Sequence, residues 1–208
     1  MSIRPPQSRR SEDAGLNALF AYWRGLCRGA VPPRRSQIDP RRIEAVLPDA
    51  FIVERIAPGL ARFRVAGAHL AGLMGMDVRG MPLSCLIRPP AREGFAAALA
   101  RLFEEPATLD LRLVSPGGPG CAELTGRMLL LPLQSDLGDV SRALGCLVSG
   151  PGRPGRAPRR FDLSRLVATP LGTGLAAAPE HAPPARPALA GERPWLRLAA
   201  SDGARLPG

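Results

Sequence analysis

The stretch ARFRVAGAHLAGLMGMDVRGMPL, residues 61–83, changes backbone period twice, and its reading decides the fold class. Ala61, Phe63 and Val65 alternate with Arg62 and Arg64, the period of a strand with one buried face. Gly67 ends that strand. Leu70, Leu73 and Met74 then share one face of a short helix. Gly75 stops it, because glycine enters the left-handed conformation without a Cβ penalty. A turn follows and ends at Gly80.

Working outward, Phe51 to Ile56 reads as a strand, and Pro58-Gly59 turns it into the strand just described. Downstream, Pro89-Pro90 opens a second helix, since proline is tolerated in a first turn. Phe95, Leu99, Leu102 and Phe103 line its apolar side, and Pro106 closes it. The period then returns to two. Leu109, Leu111 and Leu113 alternate with Asp110 and Arg112, and Ser115 to Gly120 is a turn-rich loop. Glu123 to Leu133 and Arg142 to Val148 are two further strands, joined by a turn at Asp136 to Asp139. Five strands in hairpins, with helices between the second and third, predict an α+β domain on an antiparallel sheet.

The ends differ from this middle. Residues 1–12 are polar and read as a flexible N-terminus. A helix is predicted from Ser11 or Asp13, either of which can cap it. Leu16, Leu19, Phe20, Trp23, Leu26 and Cys27 form its apolar face, and Gly29 with Pro32-Pro33 ends it. Such a helix must dock, either on its own sheet or on a second copy. In the connector 38–50, Asp39-Pro40 is a turn or helix start and Leu47-Pro48 an extended break. The domain therefore runs over residues 13–150. Residues 151–208 are rich in Pro, Gly and Arg and read as a mostly disordered tail, with one ordered piece from Arg159 to Leu166.

The strand–helix–strand order resembles that of a PAS domain. Residues 64–83 resemble the PAS stretch that leaves the second strand, forms a short helix and turns at a glycine. The chain is similar to a bacterial PAS family, common in alphaproteobacteria, formerly catalogued as a domain of unknown function. The matching features are Tyr22-Trp23, Ile38-Asp39-Pro40, Leu47-Pro48, Arg62-Phe63-Arg64 before Gly67, Leu131-Pro132-Leu133 and Leu144-Gly145. They span residues 14–150. Where this family often has Thr after the glycine, this chain has Ala68. The resemblance implies a PAS-like five-stranded sheet, a sensory role in cytoplasmic signalling, and a homodimer paired through its N-terminal helix. It implies no particular ligand and carries over no catalytic residue.

The residues themselves bound the function. The formal charge of +10 comes from 28 basic residues, all arginine, scattered along the chain. Nucleic-acid binding concentrates charge on one stripe, so an Arg-rich nucleic-acid-associated regulator is the alternative and not the leading reading. Cys27, Cys85, Cys121 and Cys146 form no CxxC or Cys/His cluster, which leaves a zinc site unsupported. They read as small buried hydrophobes. No signal peptide and no long apolar run are present, so a cytoplasmic protein without membrane contact is expected. Only His69 and His181 are available as bases, and no nucleophile motif surrounds any Ser or Cys. The glycine-rich Pro116 to Gly120 lacks the Lys-Ser/Thr of a phosphate loop. No enzyme is predicted, and no cofactor is required. Haem through His69 is not expected, because that side of the short helix should face solvent.

Three sets of residues remain as candidate sites. Leu70, Leu73, Met74, Met81, Leu86, Phe95 and Leu99 line a small-molecule pocket between helices and sheet, or are plain core. Arg62 and Arg64 contact an anion, or stand on a solvent-facing edge. Phe20, Tyr22 and Trp23 anchor an interface, with a second copy or another signalling protein as partner.

Overall fold

The computed structural model describes residues 7–118, 121–150 and 157–172. They fall in the first of the two units into which the chain divides, residues 1–175 and 176–208. Among the described residues are three α-helices: α1 (Gln7–Leu26), α2 (Ala68–Met74) and α3 (Arg92–Glu104). Six strands accompany them: β1 (Ala50–Ala57), β2 (Leu60–Ala66), β3 (Ala107–Ser115), β4 (Leu124–Gln134), β5 (Val140–Ser149) and β6 (Asp162–Pro170). They form one sheet in the order β2-β1-β5-β4-β3-β6, antiparallel at every pairing. The predicted hairpins β1-β2, β3-β4 and β4-β5 are all present. The pairing of β1 with β5, residues distant in sequence, closes the middle of the sheet.

The sheet has six strands, where periodicity predicted five. The sixth comes from the piece at Arg159 to Leu166, which extends along the free edge of β3. The tail beyond residue 172, with His181, Trp195 and Leu196, lies outside the described residues.

Two apolar layers sandwich the sheet. On the inner face, Phe51, Val53, Phe63, Leu109, Leu111, Met128, Leu130 and Leu147 pack against α2 and α3. On the outer face, Ile52, Leu129, Leu131, Leu133, Leu144, Cys146 and Val148 pack against Leu16, Leu19 and Trp23 of α1. The middle strands are thus buried on both faces. This is why residues 128–133 and 143–148 read as continuous apolar runs and not as alternations.

Local differences from the sequence reading have physical causes. The helix α1 starts at Gln7, and Ser11 and Asp13 lie inside it. Asp13 lies past the first turn, where it cannot cap the helix, and its carboxylate is held by Arg127 on β4. Val65 was assigned to the buried face of β2, yet it is half-exposed at 51%. A register shift between Ile52 and Val53 makes Val65 pair with Ile52 and Phe63 with Val53. Such a bulge reverses the alternation beyond it. Asp39 does start a helical segment, a 3-10 run over Pro40–Asp49, and accepts a bond from the Arg41 amide at 3.0 Å. That run continues through Leu47-Pro48, so the extended break falls two residues later, at Ala50.

Candidate functional site

The seven pocket candidates gather in one place. Leu70, Leu73 and Met74 on α2, Leu86 in the following 3-10 turn, and Phe95 and Leu99 on α3 are all buried in the inner layer. Met81 is half-buried against them. Gly75 takes φ 71° and ends α2, as its position predicts. These side chains fill the space between helices and sheet with one another.

Clefts lie elsewhere. One of about 590 Å³ opens at the end of the sheet, between Arg55 to Pro58, Phe103, Glu104 and Asp139 to Ser141. A smaller one of about 190 Å³ runs over the outer ends of β3 and β4, beside Asp13, Arg112 and Arg127.

Arg62 and Arg64 reach the outer face of the sheet and converge on Glu54 of β1. Arg64 Nε donates to Glu54 Oε2 at 2.7 Å, and Arg62 Nη2 does so at 3.4 Å. Arg142, opposite Glu54 on β5, is 4.0 Å from its other oxygen. Burial pushes the Glu54 carboxyl up, but the Arg64 and Arg62 guanidiniums outweigh it and hold the group below the usual carboxylate range. Three arginines around one carboxylate leave a surplus of positive charge on this corner of the face.

The predicted interface trio separates. Trp23 is 0% exposed, and its indole Nε1 donates to the Pro132 carbonyl at 3.0 Å. A side chain sealed inside its own chain offers nothing to a partner, so Trp23 is withdrawn as an interface anchor. Tyr22 is half-buried and accepts from the Asp39 amide at 2.8 Å. Phe20 is half-buried on the flank of α1, its ring 6.0 Å from that of Trp23.

His69 does not face open solvent. Its Nε2 lies 3.1 Å from Ser149 Oγ, and its Nδ1 lies 4.0 Å from Asp49 Oδ1. Burial pushes the Asp49 carboxyl above its ordinary value, with the His69 charge opposing. The row has the order of a Ser–His–Asp relay. Neither cleft includes it.

Sequence reading missed one polar network. Arg127 grips Asp110 with two parallel bonds, at 3.0 and 2.6 Å, and Asp13 with a third at 2.5 Å. Those bonds push the Arg127 pKa above its ordinary value, with Asp110 the main cause. The signal was present in the alternation, which turns Asp110 to the same face as Arg127, its diagonal neighbour across β3 and β4.

Residues 11–148 match the family model of the PAS domain. The chain belongs to the PAS domain family. The match ends before β6. No curated protein matches the chain. Among solved structures, this PAS domain is similar to a light-oxygen-voltage domain studied with a flavin analogue, at 17% identity. That likeness covers 53% of this chain and 83% of the other, with a TM-score of 0.38. It is also similar to an RNA-binding light-oxygen-voltage receptor, at 19% identity, over 57% of this chain and 35% of that one, with a TM-score of 0.37.

The motif residues of this PAS domain prove to be each other's partners. Trp23 bonds the Pro132 carbonyl, and Tyr22 the Asp39 amide. A Cβ on Gly67 would collide with the backbone of Leu47 and Pro48, and one on Gly145 with the Phe51 ring. These motifs hold the layers together.

Proposed function

We propose that this PAS domain is a non-enzymatic sensory or protein-interaction module of bacterial cytoplasmic signalling, working through association with a second copy or another signalling protein, a small-molecule ligand being the signal it reads. The family match over residues 11–148 carries this reading. The half-buried Phe20 and Tyr22 on the flank of α1, and the arginine surplus around Glu54, are surfaces suited to a partner with an apolar edge and acidic groups. A ligand in the inner layer would displace Met74 and Met81, the most adaptable of the seven candidates.

Native mass spectrometry on freshly purified protein tests the proposal. A doubled mass or a retained small molecule is the expected result; a bare monomer at tens of micromolar would sink it. Many arginines of this chain are engaged with its own carboxylates, at Glu54, Asp77, Glu104, Asp110 and Asp162. Nonspecific duplex DNA separates the two readings: no binding at low salt eliminates the nucleic-acid alternative, and a steep salt-dependent affinity would favour it. For the Ser149–His69–Asp49 row, hydrolysis of an activated acetate ester should run no faster with the native chain than with His69→Ala.

A further inference from the structure

Arg159 sits in the segment that leads into β6, with only 4% of its surface exposed. Its backbone amide donates to the Leu73 carbonyl at the end of α2, at 2.8 Å. Its side chain turns toward the loop end of the β3-β4 hairpin. There Nη2 donates to the carbonyls of Ala122 at 2.8 Å and Ser115 at 3.3 Å, and Nη1 donates to the sulfur of Cys121. Its Nε has no hydrogen-bond partner among the described residues. None of the ion pairs among the described residues includes Arg159, although most other buried or half-buried arginines have a carboxylate.

A guanidinium taken out of water without a counter-ion is costly. The two carbonyls that receive its protons carry no net charge. The Cys121 sulfur is the one acceptor of the three that can become an anion. Cys121 is also half-exposed, so small solutes reach it. We propose that Cys121 is a modification site: a nucleophilic thiol, held at the buried Arg159 guanidinium, that reacts with peroxides and other small electrophiles. The other cysteines are built differently. Cys85 and Cys146 are buried, and burial pushes both thiols up. Cys27 lies near Arg24, but burial prevails there too, and its thiol donates to the Trp23 carbonyl.

The reaction with a peroxide balances without further help. The Cys121 thiolate attacks one peroxide oxygen, forming an S–O bond as the O–O bond breaks. Sulfur loses two electrons and becomes a sulfenic acid; the peroxide is reduced, and its other oxygen leaves as hydroxide, which takes up the proton that the thiol released on ionising and becomes water. The product is neutral. Arg159 then loses an anionic partner while its amide still holds α2, so the chemistry at sulfur is coupled to the segment that seats β6.

Site-resolved alkylation of the full reduced chain with iodoacetamide at neutral pH tests this, read by peptide mass mapping. Cys121 should react about tenfold faster in the folded protein than in the same protein denatured by guanidinium chloride, the excess being set by the Arg159 guanidinium held at its sulfur. Cys27, Cys85 and Cys146 should react more slowly when folded. A folded rate at Cys121 equal to or below its denatured rate overturns the proposal. Arg159→Gln, checked for folding by circular dichroism, should remove most of the excess rate; an unchanged rate in the folded variant also overturns it. Limited hydrogen peroxide followed by dimedone should place the adduct on Cys121 and leave Cys121→Ser unlabelled. A folded chain in which the adduct falls on another cysteine, or on none, contradicts the assignment.

Discussion

Trp23 shows how much one residue carries here. It fills the outer layer and also satisfies the Pro132 carbonyl near the end of β4. Trp23→Ala should cost about 3–5 kcal/mol in urea unfolding, from lost burial and the cavity left behind. Trp23→Phe should cost less, about 1–3 kcal/mol, since it mainly orphans a buried carbonyl. Gly67 is needed for a different reason. Its φ is ordinary, but the carbonyls of Leu47 and Pro48 occupy the space of a Cβ. Backbone cannot step aside as a side chain can, so Gly67→Ala should destabilise by at least about 2 kcal/mol. Glu54 sets an acid limit at the same scale. Its carboxyl is held low in the folded state, so its contribution is complete above the unfolded value of 4.5 and is lost as pH falls through the lower folded value. The urea midpoint of the native chain should fall more steeply below pH 4.5 than that of Glu54→Gln.

The helix α1 is the element whose docking was open. Its apolar face suited either its own sheet or a second copy, and the sheet won. The outer face of β1, β4 and β5 is apolar too, and α1 covers it together with Ile38, Ile43 and Val46 of the connector. Asp13 then locks the helix through Arg127 to Asp110 on β3. Cys146 reports on this layer. Burial pushes its thiol up to about 12, against 9.0 when exposed. A folded value above the unfolded one means that stability is full below pH 9 and is lost as pH rises toward 12. The native chain should lose thermal stability across that window, and Cys146→Ala should show a shallower loss.

At the scale of the whole molecule, β6 is the addition that the family match leaves out. It pairs along the length of β3 and so covers an edge that would otherwise present unpaired amides and carbonyls. Phe161, at its start, is fully buried in the inner layer, and its amide and carbonyl bond Leu86 and Arg88. Phe161→Ala should cost about 3–5 kcal/mol by chemical denaturation. A chain cut after Gly150 should aggregate through its bare β3 edge, seen by size-exclusion chromatography. The sequence alone determined five of the six strands, their alternation up to the bulge before Val65, the two glycine-ended turns around α2 and the apolar face of α1. Each follows from bonds and steric limits between residues close along the chain. Only the tertiary structure decided which distant residues meet: β1 beside β5, Trp23 under Pro132, His69 between Ser149 and Asp49, and Arg159 on Cys121. Such contacts depend on how whole layers are stacked, and no local period or spacing encodes that stacking.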